Sequence, residues 1–112
     1  MDKGTNKVIS DYIASVAKQN TQLVNAYLFG SYAKQTNRMD SDIDVALIID
    51  NLNDDERFDL QVQLMLLASN FDMRIEPHPI SKKDFNSQNP FAAEIKKTGI
   101  EIEPRTHTSW YI

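Results

Sequence analysis

The chain contains no cysteine. That excludes a disulfide framework and any thiolate metal site, and it fits a reducing compartment, so cytoplasm is the expected location. Three glycines and four prolines are too few for a linker-rich or low-complexity protein. No apolar run approaches membrane-spanning length, and the polar start Met1-Asp2-Lys3-Gly4 does not read as a secretory leader. Positive charge is not in excess either. Twelve Lys and Arg stand against sixteen Asp and Glu, a net charge of −4, which argues against a dominant nucleic-acid surface. A chain of 112 residues with 41% hydrophobic content predicts one domain with one core. Little is left over for a deep private substrate cavity.

What is present concentrates between residues 26 and 49. Ala26–Phe29 reads as a buried strand closed by the turn Gly30-Ser31. Ile43–Ile49 is rich in β-branched residues and reads as a second buried strand. Asp42 and Asp44 stand at its start with one residue between them. Alternate side chains of a strand share a face, so both carboxylates project the same way, roughly 6.5 Å apart by Cα, while Ile43 and Val45 face the core. Two adjacent carboxylates repel unless a cation lies between them. All-oxygen ligation of that kind suits Mg²⁺. Gly30 permits a tight bend and close approach of a ligand. Ser31 is placed to cap the segment Tyr32-Ala33-Lys34, and exposed N–H groups at such a start favour phosphate. Lys34 and Arg38 in the same loop serve either to neutralise a triphosphate or as ordinary solvated charge.

The rest of the chain alternates helices and strands. Residues 1–6 read as a frayed end. From Val8, the residues Val8, Ile9, Tyr12, Ile13, Val16 and Ala17 form one helical stripe that stops near Gln19-Asn20, and Leu23–Phe29 is the first strand. Asn53 with Glu56 resembles a capping box. It opens a helix from about Asp54 to Ser69, whose first-turn acids complement the dipole rather than bind metal. Leu64–Ala68 is apolar nearly all round, which predicts burial on most sides or against a partner. A third strand is expected over residues 71–76, ended by Pro77-His78-Pro79. With Met73 and Ile75 facing the core, Arg74 and Glu76 share the other face. Glu76 is then either a third site carboxylate or a strand-end acid paired with Arg74, and Asp72 is its rival. His78 reads as a restrained turn residue and His107 as tail. Ser81 with Asp84 suggests a short capped helix. Asn89-Pro90 opens another, which Gly99 stops. Ile100–Ile102 extends, and residues 104–112, ending in Trp110, Tyr111 and Ile112, read as a C-terminal tail to a domain of residues 1–103.

Gly30-Ser31, ten intervening residues, then Ser41-Asp42-Ile43-Asp44 and the apolar run after it together resemble the signature of the DNA polymerase β-like nucleotidyltransferases. The short length resembles the minimal nucleotidyltransferases within that superfamily. Gln35 stands where these proteins often carry glycine. The resemblance spans roughly residues 8–102. It implies an α/β (α+β) fold, with a small mixed sheet and helices mainly on one face. It also implies transfer of a nucleoside monophosphate, AMP from ATP, with two Mg²⁺. Asp42, Asp44 and Glu76 then become metal-binding and catalytic residues, and Gly30, Ser31, Lys34, Arg38 and Ser41 line the nucleotide. Minimal nucleotidyltransferases are commonly paired with a helical HEPN protein, often as the antitoxin that adds AMP to the toxin. By that likeness the acceptor is a hydroxyl of a protein partner in a hetero-oligomer. The alternatives are a free-standing enzyme acting on a small hydroxylated molecule or RNA, and an inert nucleotide-binding or neutralising module.

Overall fold

A computed structural model describes residues 3–34 and 41–105. The expectations placed on Gln35, Arg38, His107 and the terminal Trp110, Tyr111 and Ile112 lie outside the described residues. The element order is α1 (Lys3–Gln19), β1 (Leu23–Phe29), β2 (Ile43–Ile49), α2 (Asp54–Ala68), β3 (Ile75–Ser81), α3 (Lys82–Phe85), α4 (Pro90–Thr98) and β4 (Ile100–Glu101). The strands form one sheet in the order β3-β2-β1-β4. β1 is antiparallel to β2 and to β4, and β2 is parallel to β3. This is the small mixed sheet expected of the fold.

β1 and β2 carry apolar residues on both faces, so each face needs a cover. Leu23, Ala26, Leu28, Ile43, Val45, Leu47 and Ile49 join the core formed with the two long helices α1 and α2. Ile9, Tyr12, Ile13 and Val16 supply the apolar stripe of α1, all of them buried. Ala46 and Ile48 turn the other way and pack with Phe85 of α3 and with Ala92 and Ile95 of α4. α1 begins at Lys3, earlier than the apolar stripe implies. Thr5, one turn before Ile9, is buried there, so a polar residue extends the packed face. Tyr12 donates its hydroxyl proton to the Leu64 carbonyl (2.9 Å), joining α1 to α2. Burial pushes the Tyr12 hydroxyl well above its usual pKa.

Three local expectations are corrected. β3 does not end at Pro77 but runs from Ile75 to Ser81 through Pro77, His78 and Pro79. It is an edge strand, and alternate residues of a parallel strand direct their backbone groups to opposite sides. Both prolines therefore sit where no ladder N–H is required. The outward Pro77 carbonyl accepts from Gln61 Nε2 (2.6 Å), so α2 closes part of that edge. Met73 is not core: it stands 88% exposed on a turn in which Arg74 N–H donates to Asp72 Oδ1. The Asn53 side chain makes no helix cap but donates to Glu56 Oε1 (2.9 Å).

The apolar stretch Leu64–Ala68 is split between environments. Leu64 and Ala68 are buried, while Met65 and Leu66 are exposed, as is Phe58 on the same helix. The short helices begin as expected, with Ser81 Oγ accepting from Asp84 N–H and Asn89 Oδ1 from Phe91 N–H. Gly99 follows α4 in an extended conformation. A Cβ there would lie 2.5 Å from the Ile95 carbonyl oxygen, so close backbone approach, not a left-handed turn, calls for glycine. Pro104 is buried and Arg105 donates to the Leu23 carbonyl (2.7 Å). No helix among the described residues is long and apolar enough to cross a membrane.

Candidate active site

The sheet register builds the site. β1 and β2 are antiparallel, with Phe29 opposite Asp44, so the turn at Gly30 stands beside the first acidic residue of β2. β2 and β3 are parallel, with Asp44 opposite Glu76 and Ala46 opposite His78. Adjacent strands lie about 4.8 Å apart, and directly paired residues share a face. Asp44, Glu76 and His78 therefore project together from the side of the sheet that carries α3 and α4. Asp42 lies two residues before Asp44, outside the strand, and is exposed.

Asp42 is near enough to Glu76 to act on its titration. Two neighbouring carboxyl groups resist carrying charge together. The Glu76 pKa is accordingly raised, first by burial and then by the Asp42 side chain, with the charges of Asp42 and Asp44 adding and His78 opposing. Asp44 is held from two sides. Its Oδ1 lies 3.0 Å from His78 Nε2. Its Oδ2 packs against Gly30, where an added Cβ would stand 2.6 Å away. Gly30 has φ +75°, so both its backbone conformation and its missing side chain are required.

Asp72 has a different fate. Arg74 Nε and Nη2 clamp its two oxygens at 3.0 and 2.8 Å. Those bonds hold its carboxyl below the usual range, against the opposing effect of burial. The expected alternative pairing of Glu76 with Arg74 is therefore replaced by Asp72 with Arg74. Arg74 Nη1 also donates to the hydroxyl of Tyr32 (2.7 Å), a buried residue of the turn after Gly30. This ties the signature loop to the start of β3.

The other expected residues divide. Ser31 follows Gly30 directly, half-buried, in a turn closed by Lys34 N–H on the Gly30 carbonyl (3.2 Å) rather than in a capped helix. Ser41 precedes the acidic pair and is half-buried. Lys34 is exposed, with Nζ 3.5 Å from Glu94 Oε1 of α4. Such a surface pair is weakly held and free to exchange partners. A cavity of about 320 Å³ lies at the far end of β2, lined by Asp50, Asp55, Glu56 and Asp59. No lysine or arginine is among its lining residues, so it repels a phosphate chain and is not part of this site.

Sequence reasoning missed His78. The pattern Pro77-His78-Pro79 reads as a chain terminator, and only the strand register places the ring beside Asp44. Among the described residues no three ligating side chains already converge on one point. The donor set nonetheless fits a hard divalent cation, since all three carboxylates lie at one sheet end and supply oxygen only. A cation there would favour the ionised Glu76 that burial and the neighbouring carboxylates disfavour.

Several solved structures share the fold. A candidate nucleotidyltransferase from Sulfolobus solfataricus is 20% identical, with a TM-score of 0.59 over 85% of this chain and 76% of that one. A toxin–antitoxin structure with AMP-PNP is 24% identical, with a TM-score of 0.59 over 89% and 76%. A mutant of the toxin–antitoxin MntA-HpeT is 25% identical, with a TM-score of 0.58 over 88% and 74%. No curated protein matches the chain. The family model described as polymerase beta, nucleotidyltransferase matches residues 11–107. That span holds the Gly30 turn, the acidic residues of β2 and β3 and every strand, and the chain belongs to the polymerase beta nucleotidyltransferase family.

Proposed function

We propose that the protein transfers a nucleoside monophosphate, AMP from ATP, to a hydroxyl group of a partner protein, with Mg²⁺ held by Asp42, Asp44 and Glu76. The observation that carries this reading is the register pair Asp44–Glu76, which sets a further carboxylate beside Asp44. Bound Mg²⁺ supplies charge neutralisation at the triphosphate and acidifies an attacking hydroxyl. Gly30 lets the backbone approach the phosphates, and the Ser31 hydroxyl follows it in the turn. Lys34 exchanges Glu94 for a phosphate oxygen, and Arg38 and Ser41 complete the nucleotide contacts. The acceptor oxygen forms its bond to the α-phosphorus as the bond to pyrophosphate breaks. Glu76 assists either as a metal ligand or as the base that takes the acceptor proton.

The protein acceptor is supported by the toxin–antitoxin structures that share the fold. We take the partner to be a HEPN-type protein in a toxin–antitoxin pair, with this chain as antitoxin, both in the cytoplasm. The test is co-expression with the neighbouring gene product, followed by intact-mass measurement. The expected result is a partner heavier by one or more AMP units. Asp42→Asn and Asp44→Asn abolish that gain while the variants melt no lower than the parent, since each removes a repelling charge. Transfer at near the parent rate in either variant overturns the carboxylate assignment. Efficient turnover of a small hydroxylated compound by the isolated chain, with no complex formed, overturns the protein acceptor.

A further inference from the structure

His78 is held more firmly than a surface histidine. Pro77 and Pro79 restrict the backbone on both sides of it. Beneath its ring the neighbouring strand carries Ala46, the register partner of His78, which is small enough to leave room. The Phe29 ring meets the imidazole edge-on at 5.1 Å, and Phe91 of α4 in turn meets Phe29 at 5.5 Å. This stack leaves Nε2 at 3.0 Å from Asp44 Oδ1. An ionised carboxylate can only accept, so Nε2 is the donor. Asp44 is thus fixed by His78 on one oxygen and by Gly30 on the other.

We infer that His78 is a positioning residue for Asp44: it fixes the carboxylate in the orientation that receives the divalent cation. The inference rests on the metal reading given above. A carboxylate ligand free to rotate must be ordered when the ion arrives, and the side chain that orders it beforehand removes that cost. Loss of such outer partners weakens metal binding by roughly 10–100-fold. His78 does not contact the substrate in this scheme, and it acts through Asp44 alone.

Mn²⁺ is the probe, because free and bound ion are separable by electron paramagnetic resonance on the whole chain without nucleotide or turnover. His78→Leu removes the donor. His78→Gln keeps an amide N–H near the position of Nε2, whereas His78→Asn keeps the polarity but is too short to reach Asp44. Mn²⁺ affinity is expected to fall by about tenfold or more in His78→Leu and His78→Asn. In His78→Gln it stays within about threefold of the parent, and the metal-free melting temperatures of Gln and Asn variants agree. Should His78→Leu fail to fold, the Gln and Asn pair carries the comparison. Parent-like affinity in His78→Asn, or equal losses in Gln and Asn, overturns the positioning role while leaving the metal site intact. A parent chain that does not bind Mn²⁺ overturns the metal reading itself, and this inference with it.

Discussion

Glu76 and Asp72 lie four residues apart and carry the same chemistry, yet the fold gives them opposite titration behaviour. Burial and the Asp42 contact raise the Glu76 pKa above 4.5. Its protonated form therefore favours the fold. That contribution is complete below pH 4.5 and is lost as pH rises through the folded value. Glu76→Gln imitates the neutral form and is expected to raise the metal-free melting temperature slightly at neutral pH, but not in acid, while abolishing transfer. Asp72 is the reverse case: Arg74 lowers its pKa below 3.8. Its contribution is present above 3.8 and lost as pH falls through the folded value. Asp72→Asn is expected to cost about 1 kcal/mol at neutral pH and to leave chemistry at the carboxylates intact. Thermal melts of both variants across this pH range, beside the transfer assay, check the pair of statements. An inactive Asp72→Asn with an active Glu76→Gln would reverse them. Strand parity alone separates Glu76 from Arg74's partner poorly, because it cannot show that Arg74 turns back to clamp Asp72.

The elements around the site differ in how openly the sequence displays them. β1 and β2 match their expected limits, since short, mainly apolar runs bounded by polar residues have few other ways to be buried. The start of α1 and the whole second half of β3 are less legible. Thr5 packs although it is polar, and Pro77 and Pro79 belong to a strand because that strand is an edge. Edge position is a property of the sheet, which no local window contains. The Gly30 turn is legible as a bend, but its second duty is not. The same absent Cβ makes room for Asp44 Oδ2. Gly30→Ala therefore strains the backbone at φ +75° and displaces the carboxylate, at a cost of about 1–3 kcal/mol in stability. Mn²⁺ affinity and transfer are both expected to fall at least tenfold, measured on protein shown by circular dichroism to be folded. Unchanged Mn²⁺ affinity in folded Gly30→Ala would mean that Asp44 is not a ligand.

At the scale of the molecule, an apolar surface stands exposed among the described residues. Phe58, Val62, Met65 and Leu66 recur at helical spacing along the outer side of α2, with Phe58 75% and Leu66 66% exposed. Met73 stands exposed on the turn that follows the helix, and Met65 and Met73 line one shallow pocket. A helix that buries Leu64 and Ala68 against the sheet has no packing need for large apolar groups on its other side. The sequence shows the apolar residues of α2 but not which of them the sheet leaves out. Apolar side chains grouped in this way mark an interface. The partner protein of the proposed reaction is expected to dock on this stripe, beside the exposed Asp55 and Asp59. Phe58→Ser with Leu66→Lys is expected to leave the isolated fold within about 0.5 kcal/mol of the parent, as surface changes do, and Mn²⁺ affinity unchanged. Retention of the co-expressed partner on an affinity tag should fall more than tenfold. The AMP gain on the partner should fall with it, because the acceptor is no longer brought to Asp42, Asp44 and Glu76. Undiminished retention would place the contact elsewhere on the molecule.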